Sequence, residues 1–155
     1  MGRMPADVAE FLCGKRLAVA VVSRQPGQAA NAVFRKLRDS GYEVFPVNPN
    51  ATETEGVHCY PDLASVPGRV DGLVIVTHPS VSTVLVRQCG DLGVDKVWFH
   101  RSFDRGSVPD DAIQECQVRG IKCIVGGCPL MYCEPIDFGH RCMRWWRGRK
   151  GRVPV

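Results

Sequence analysis

The sequence has no hydrophobic run longer than a strand. Stretches such as Leu17 to Val22 and Leu73 to Val76 are its longest, against the roughly 20 apolar residues that a membrane-spanning helix needs. The amino-terminal MGRMPADVAEF lacks the apolar core of a secretory signal, so a cytoplasmic home is expected. Eight cysteines in a small secreted domain would suggest a disulfide framework. Spread along this chain, they are expected to be reduced thiols. There is no low-complexity tract and no repeat at a solenoid period. Two phosphate-binding signatures are missing as well. The segment SRQPGQAAN (23–31) holds one glycine, where a dinucleotide fingerprint needs several, and no acidic residue closes the second strand to hold a ribose. No GxxxxGK[ST] loop occurs either. NAD, FAD and P-loop chemistry are therefore disfavoured.

What is present is an alternation of strand and helix patterns. The run Leu17 to Val22 is almost wholly apolar, as suits a central parallel strand covered on both faces. From Ala29 to Ser40, Ala30, Val33, Phe34 and Leu37 recur at helical spacing, and Gly41 ends that helix. Strands are expected at Tyr42 to Val47, Asp71 to Val76, Lys96 to His100 and Ile121 to Val125. A short extended segment is expected at Val57 to Tyr60 and a short helix at Asp62 to Val66. Further helices are expected at Ser80 to Leu92, with Ser80 as N-cap and Val81, Val84, Leu85 and Cys89 inward, at Pro109 to Arg119, and at Phe138 to Trp146. At 155 residues the length is that of one domain. Alternating strands and helices specify an α/β architecture: a Rossmann-like, doubly wound, mainly parallel five-stranded sheet with flanking helices, in three layers. Residues 1–14 form a helical lead-in, 15–128 the nucleotide-binding unit, and 129–155 a cysteine-rich, basic extension.

In such sheets ligands bind beyond the carboxyl ends of the strands, where the strand order reverses. That rule selects the loops 23–30, 48–51 and 77–80. The first offers a helix N-terminus with small residues, hydroxyl and amide groups from Ser23, Gln25 and Gln28, and a cation at Arg24, a set that can hold phosphate oxygens.

The ordered motifs resemble the small stand-alone CoA-binding proteins, one-domain relatives of the CoA-binding domain of succinyl-CoA synthetase alpha subunits. The resemblance rests on Ser23 and Pro26 after the first strand, on GYEVFPVNP (41–49), on YPDLASVP (60–67), on His78-Pro79 after the third strand, on Val97-Trp98, and on Cys128. It implies that coenzyme A or an acyl-CoA is bound, with Ser23, Arg24, Gln25 and Pro26 at the phosphates. Val47, Asn48 and Pro49 would lie beside the nucleotide, with Thr77, His78 and Pro79 across from them. Two departures from the family pattern bear on affinity. Val21 stands where glycine is common, narrowing the approach to the phosphates, and Thr77-His78 replace a common arginine by a group of a type that titrates near neutrality.

The carboxyl-terminal part carries Cys123, Cys128, Cys133, His140 and Cys142, a donor set for zinc in principle. Their C-x4-C-x4-C and H-x-C spacing matches neither a knuckle nor a finger. Buried reduced thiols are the favoured reading and zinc the disfavoured one. Cys128 is also the sole catalytic candidate, for thiol or acyl chemistry on CoA. No nucleophile, base and oxyanion donors converge by sequence, so the expected role is that of a non-catalytic sensor, carrier or regulatory module. The cluster Arg141, Arg144, Trp145, Trp146, Arg147, Arg149, Lys150 and Arg152 defines a second alternative, an interaction protein acting through its tail. A second copy or another protein is an allowed partner, nucleic acid is disfavoured, and no membrane span is expected.

Overall fold

The computed structural model describes residues 4–100 and 110–133. The expected helix at Phe138 to Trp146 and the residues His140, Cys142, Trp145 and Trp146 lie outside them. Five parallel strands form one sheet: β1 (Arg16–Ala20), β2 (Glu43–Val47), β5 (Gly72–Ile75), β6 (Lys96–Phe99) and β7 (Lys122–Val125), in the order β2-β1-β5-β6-β7. The remaining strands, β3 (Glu53–Thr54) and β4 (Val57–His58), make a separate antiparallel hairpin. Helices α1 (Ala6–Leu12) and α2 (Ala29–Asp39) cover one face, and α3 (Pro79–Asp91) and α4 (Asp110–Arg119) the other. The expected three-layer, doubly wound α/β fold is therefore observed.

Strand periodicity explains the layers. Leu17 and Val19 of β1, Val74 of β5 and Trp98 of β6 point toward α1 and α2, where they meet Val8, Phe11, Val33, Phe34 and Leu37. The alternate residues Ala18, Ala20, Leu73, Ile75, Val97 and Phe99 meet Leu85, Val86, Cys89, Ala112 and Cys116 on the far side. Phe11 lies so close to the sheet that a Cβ on Gly72 would sit 2.7 Å from its ring, which explains glycine there. Arg16 and Lys15 each donate a backbone N–H to Asp71, joining the amino ends of β1 and β5.

Three expectations need correction. The segment from Asp62 to Val66 is a chain of turns rather than a helix: the Asp62 carboxylate accepts the backbone N–H and hydroxyl of Ser65 at 2.8 and 2.7 Å, as an N-cap would, but no helical turns follow. Helix α3 starts one residue early, at Pro79, and its N-cap is His78, whose Nδ1 accepts from the Ser80 N–H. The buried side of α3 is Ser82, Leu85, Val86 and Cys89, whereas Val81 and Val84 are 39% and 51% exposed. They face the cleft described next.

Candidate functional site

The chain runs from β1 outward to β2, then returns past β1 to β5, β6 and β7. The order therefore reverses between β1 and β5, and a cleft opens there at the carboxyl ends, as the switch-point rule requires. It has a volume of about 330 Å³ and is lined by Val21, Val47 and Pro49 on one side and Thr77, Val81 and Val84 on the other. Asn50, Asp62 and Gln88 add polar groups. A slot of this size is at the lower limit of the roughly 300–1,000 Å³ typical of small-molecule sites. It suits one planar or compact part of a ligand, with the rest lying along the surface. Wider, shallower hollows lie at the opposite, amino ends of the strands, around Lys15, Glu43 and Tyr42, away from the switch point.

Of the ten residues expected at the ligand, Val47, Pro49 and Thr77 line the cleft. Val21 also lines it, so its isopropyl group forms part of the wall. Asn48 is buried and acts internally: its Nδ2 donates to the Val22 carbonyl at 2.8 Å and its Oδ1 accepts the Asn50 N–H at 2.9 Å. It ties the end of β2 to the segment after β1. The Nδ1 of His78 is engaged with Ser80. With Nδ1 accepting, the neutral tautomer carries its ring proton on Nε2. Pro79 occupies the first turn of α3, a position where its missing N–H costs nothing.

Ser23, Arg24, Gln25 and Pro26 form the loop between β1 and α2. The Gln25 N–H donates to Ser23 Oγ at 3.0 Å, leaving the hydroxyl proton available. Arg24 is exposed and has no ion-pair partner among the described residues. Gln28, the N-cap of α2, makes no side-chain cap bond, and the Asn31 N–H already donates to the Gln28 carbonyl at 3.1 Å, so the N–H groups of Ala29 and Ala30 are the ones left to an anion.

Sequence reasoning missed the groups that hold this loop. Asn31, 1% exposed within the apolar face of α2, accepts the Ser23 N–H at 3.0 Å and donates to the Ser23 carbonyl at 2.7 Å. Arg35 donates from both Nη atoms to the Pro26 carbonyl at 3.1 Å. Both also bind one oxygen of Glu55, in the β3–β4 turn, at 2.7 and 2.6 Å. An asparagine among Ala30, Val33 and Phe34 was the available signal, because a buried amide must find partners. Burial pushes the Glu55 carboxyl up, but the hydrogen bonds from Asn31 and Arg35 and the charges of Arg35 and Arg38 outweigh it. The group is held below its ordinary 4.5. Its stabilising contribution is therefore whole above about pH 4.5 and is lost as pH falls below that value. Urea midpoints between pH 6 and pH 3 should fall more steeply for the wild type than for Glu55→Gln. Parallel slopes would remove the carboxylate from the account.

Cys128 and Cys133 lie in the apolar layer with Trp98, Met131 and Tyr132, 3% and 5% exposed. Burial pushes the Cys133 thiol up to about 11. These are packing thiols in the structure, and the candidate nucleophile Cys128 is enclosed. Among the described residues no group of three or more His, Cys, Asp or Glu side chains could hold a metal ion. The thiol held below the ordinary range is Cys123, hydrogen-bonded to Cys116 on α4. No helix among the described residues is long and apolar enough to cross a membrane.

Residues 15–134 match the family model of the CoA binding domain. The ADP-forming acetate–CoA ligase I of Archaeoglobus fulgidus is 33% identical over 81 residues, 52% of this chain and 12% of the ligase. The uncharacterized protein YneT of Bacillus subtilis is 36% identical over 67 residues, 43% of this chain and 50% of that protein. Among solved structures, a hypothetical protein from Pyrococcus horikoshii OT3 superimposes with a TM-score of 0.71 at 26% identity, covering 83% of this chain and 92% of its own.

Proposed function

The chain belongs to the family of CoA binding domains, and from that premise we propose that the cleft and the adjoining loop hold coenzyme A or an acyl-CoA, as a non-catalytic sensor, carrier or regulatory module. The observation that carries the proposal is a juxtaposition at the switch point. An apolar slot walled by Val21, Val47, Val81 and Val84 lies beside a loop with an unpaired arginine, an available hydroxyl and an uncapped helix N-terminus. Coenzyme A presents the matching sequence of parts, a flat base joined through a ribose to a diphosphate and a flexible thiol-bearing arm. The base fits the slot, and the diphosphate meets Ser23, Arg24 and Gln25. His78 supplies an Nε2–H from the opposite rim, in place of a permanent charge.

The non-catalytic reading is supported by the enclosure of Cys128 and Cys133. Titration calorimetry with CoA, ADP and NAD should give heat with the first two and none with NAD. Arg24→Ala should weaken CoA by about 3–5-fold, the size of one solvated charge contact of up to ~1 kcal/mol. Absence of CoA heat at high protein concentration would sink the proposal.

A further inference from the structure

The β3–β4 hairpin has two residues in each strand, too few to be stable alone. Its turn residues Glu55 and Gly56 both have positive φ, 52° and 75°, as a type I′ turn demands. Gly56 suits that conformation. Glu55, with a Cβ, does not. An unfavourable backbone conformation at a glutamate is worth keeping where its side chain gains from it, and here the side chain is only 10% exposed. One carboxylate oxygen receives Asn31 Nδ2 and Arg35 Nη1 together. Those two residues grip opposite ends of the same loop, Asn31 at both polar groups of the Ser23 backbone and Arg35 at the Pro26 carbonyl. Without the carboxylate, Arg35 would keep one partner instead of two, and one Asn31 donor would be left unpaired in a buried setting, a costly arrangement.

We propose that Glu55 is a positioning residue for the phosphate end of the ligand site: carried in by the hairpin, it joins Asn31 to Arg35 and so fixes the loop from Ser23 to Pro26 before a ligand arrives. This rests on the reading of cleft and loop as a CoA site. The hairpin then has a purpose that its own two strands do not supply. It is a strap across the loop, and its contribution is preorganisation, a smaller ordering cost at the moment of binding.

The test uses the full chain and two variants, Glu55→Ala and Glu55→Gln, with two independent readouts. Hydrogen exchange of the ligand-free protein should show the amides of Ser23 to Gln28 exchanging at least tenfold faster in Glu55→Ala, with β1 and β5 unchanged. In calorimetry, Glu55→Ala should lose about tenfold in affinity for CoA and for ADP but less than twofold for adenosine, which lacks phosphates. Glutamine can still accept from Asn31 and Arg35, so Glu55→Gln should recover most of both effects. Unchanged loop exchange would overturn the proposal, as would equal losses for adenosine and ADP. Wild-type protein that binds neither CoA nor ADP would overturn the reading of the site and the ligand half of this proposal. Faster loop exchange in Glu55→Ala would still support the ordering half.

Discussion

Replacing Trp98 by alanine is expected to destabilise the protein by about 3–5 kcal/mol, the range for deleting a fully enclosed aromatic side chain. Trp98 is completely buried in β6. Its ring meets Phe11 of α1 edge-on at 5.5 Å and Tyr132 at 5.6 Å, and its Nε1–H donates to the Gly126 carbonyl at 3.0 Å. One side chain therefore fastens the first helix and the segment after β7 to the middle of the sheet. Its removal leaves a cavity, loosens both attachments and orphans a buried carbonyl. Since whole domains are stable by only about 5–15 kcal/mol, a large share of the folded population would be lost at elevated temperature. Trp98→Phe should cost less, because a ring remains and only the hydrogen bond and part of the volume go. Urea denaturation followed by circular dichroism measures both. A loss below about 1 kcal/mol for Trp98→Ala would show that the layer repacks around the gap, contrary to this account.

Val81→Trp should weaken CoA binding by about 30-fold or more, equivalent to ~2 kcal/mol, while shifting the thermal midpoint by no more than about two degrees. The two effects separate because Val81 is 39% exposed on α3 yet lines the cleft. An indole placed there takes up a large part of a cleft of about 330 Å³ without disturbing the face of α3 that carries Leu85, Val86 and Cys89. Calorimetry with CoA measures the first effect and differential scanning fluorimetry the second. If affinity stays within threefold of wild type, the cleft is not where the ligand sits.

Much of the fold could be read in the chain because its signals are local and redundant. The unbroken apolar run at Leu17 marked a strand covered on both sides, and Ala30, Val33, Phe34 and Leu37 marked the inner face of α2, as observed. The same logic misled at α3. Val81 and Val84 keep helical spacing with Leu85, and periodicity treats a valine facing a ligand cleft like one facing the core. Asp62 to Val66 reads as a short helix but forms turns, because a carboxylate–serine turn and the first turn of a helix share the same sequence signs. The site was legible in outline, through the loops at the carboxyl ends, but not in its supports. Asn31, Arg35 and Glu55 act together only because a hairpin folds back over α2, and pairing between residues 20 and 24 positions apart leaves no periodic trace. Asn48, expected beside the nucleotide, is not among the residues lining the cleft, and its amide is used by the protein's own backbone.

The close approach of Phe11 to Gly72 separates two boundaries. The match to the family begins at residue 15, whereas the packing begins at Val8 and Phe11, which join the apolar layer on the face of the sheet that α2 also covers. The segment inherited in common and the segment that must be present for the sheet to be covered are thus not the same. A chain started at Lys15 would retain every motif of the family and lose the lid over its central tryptophan.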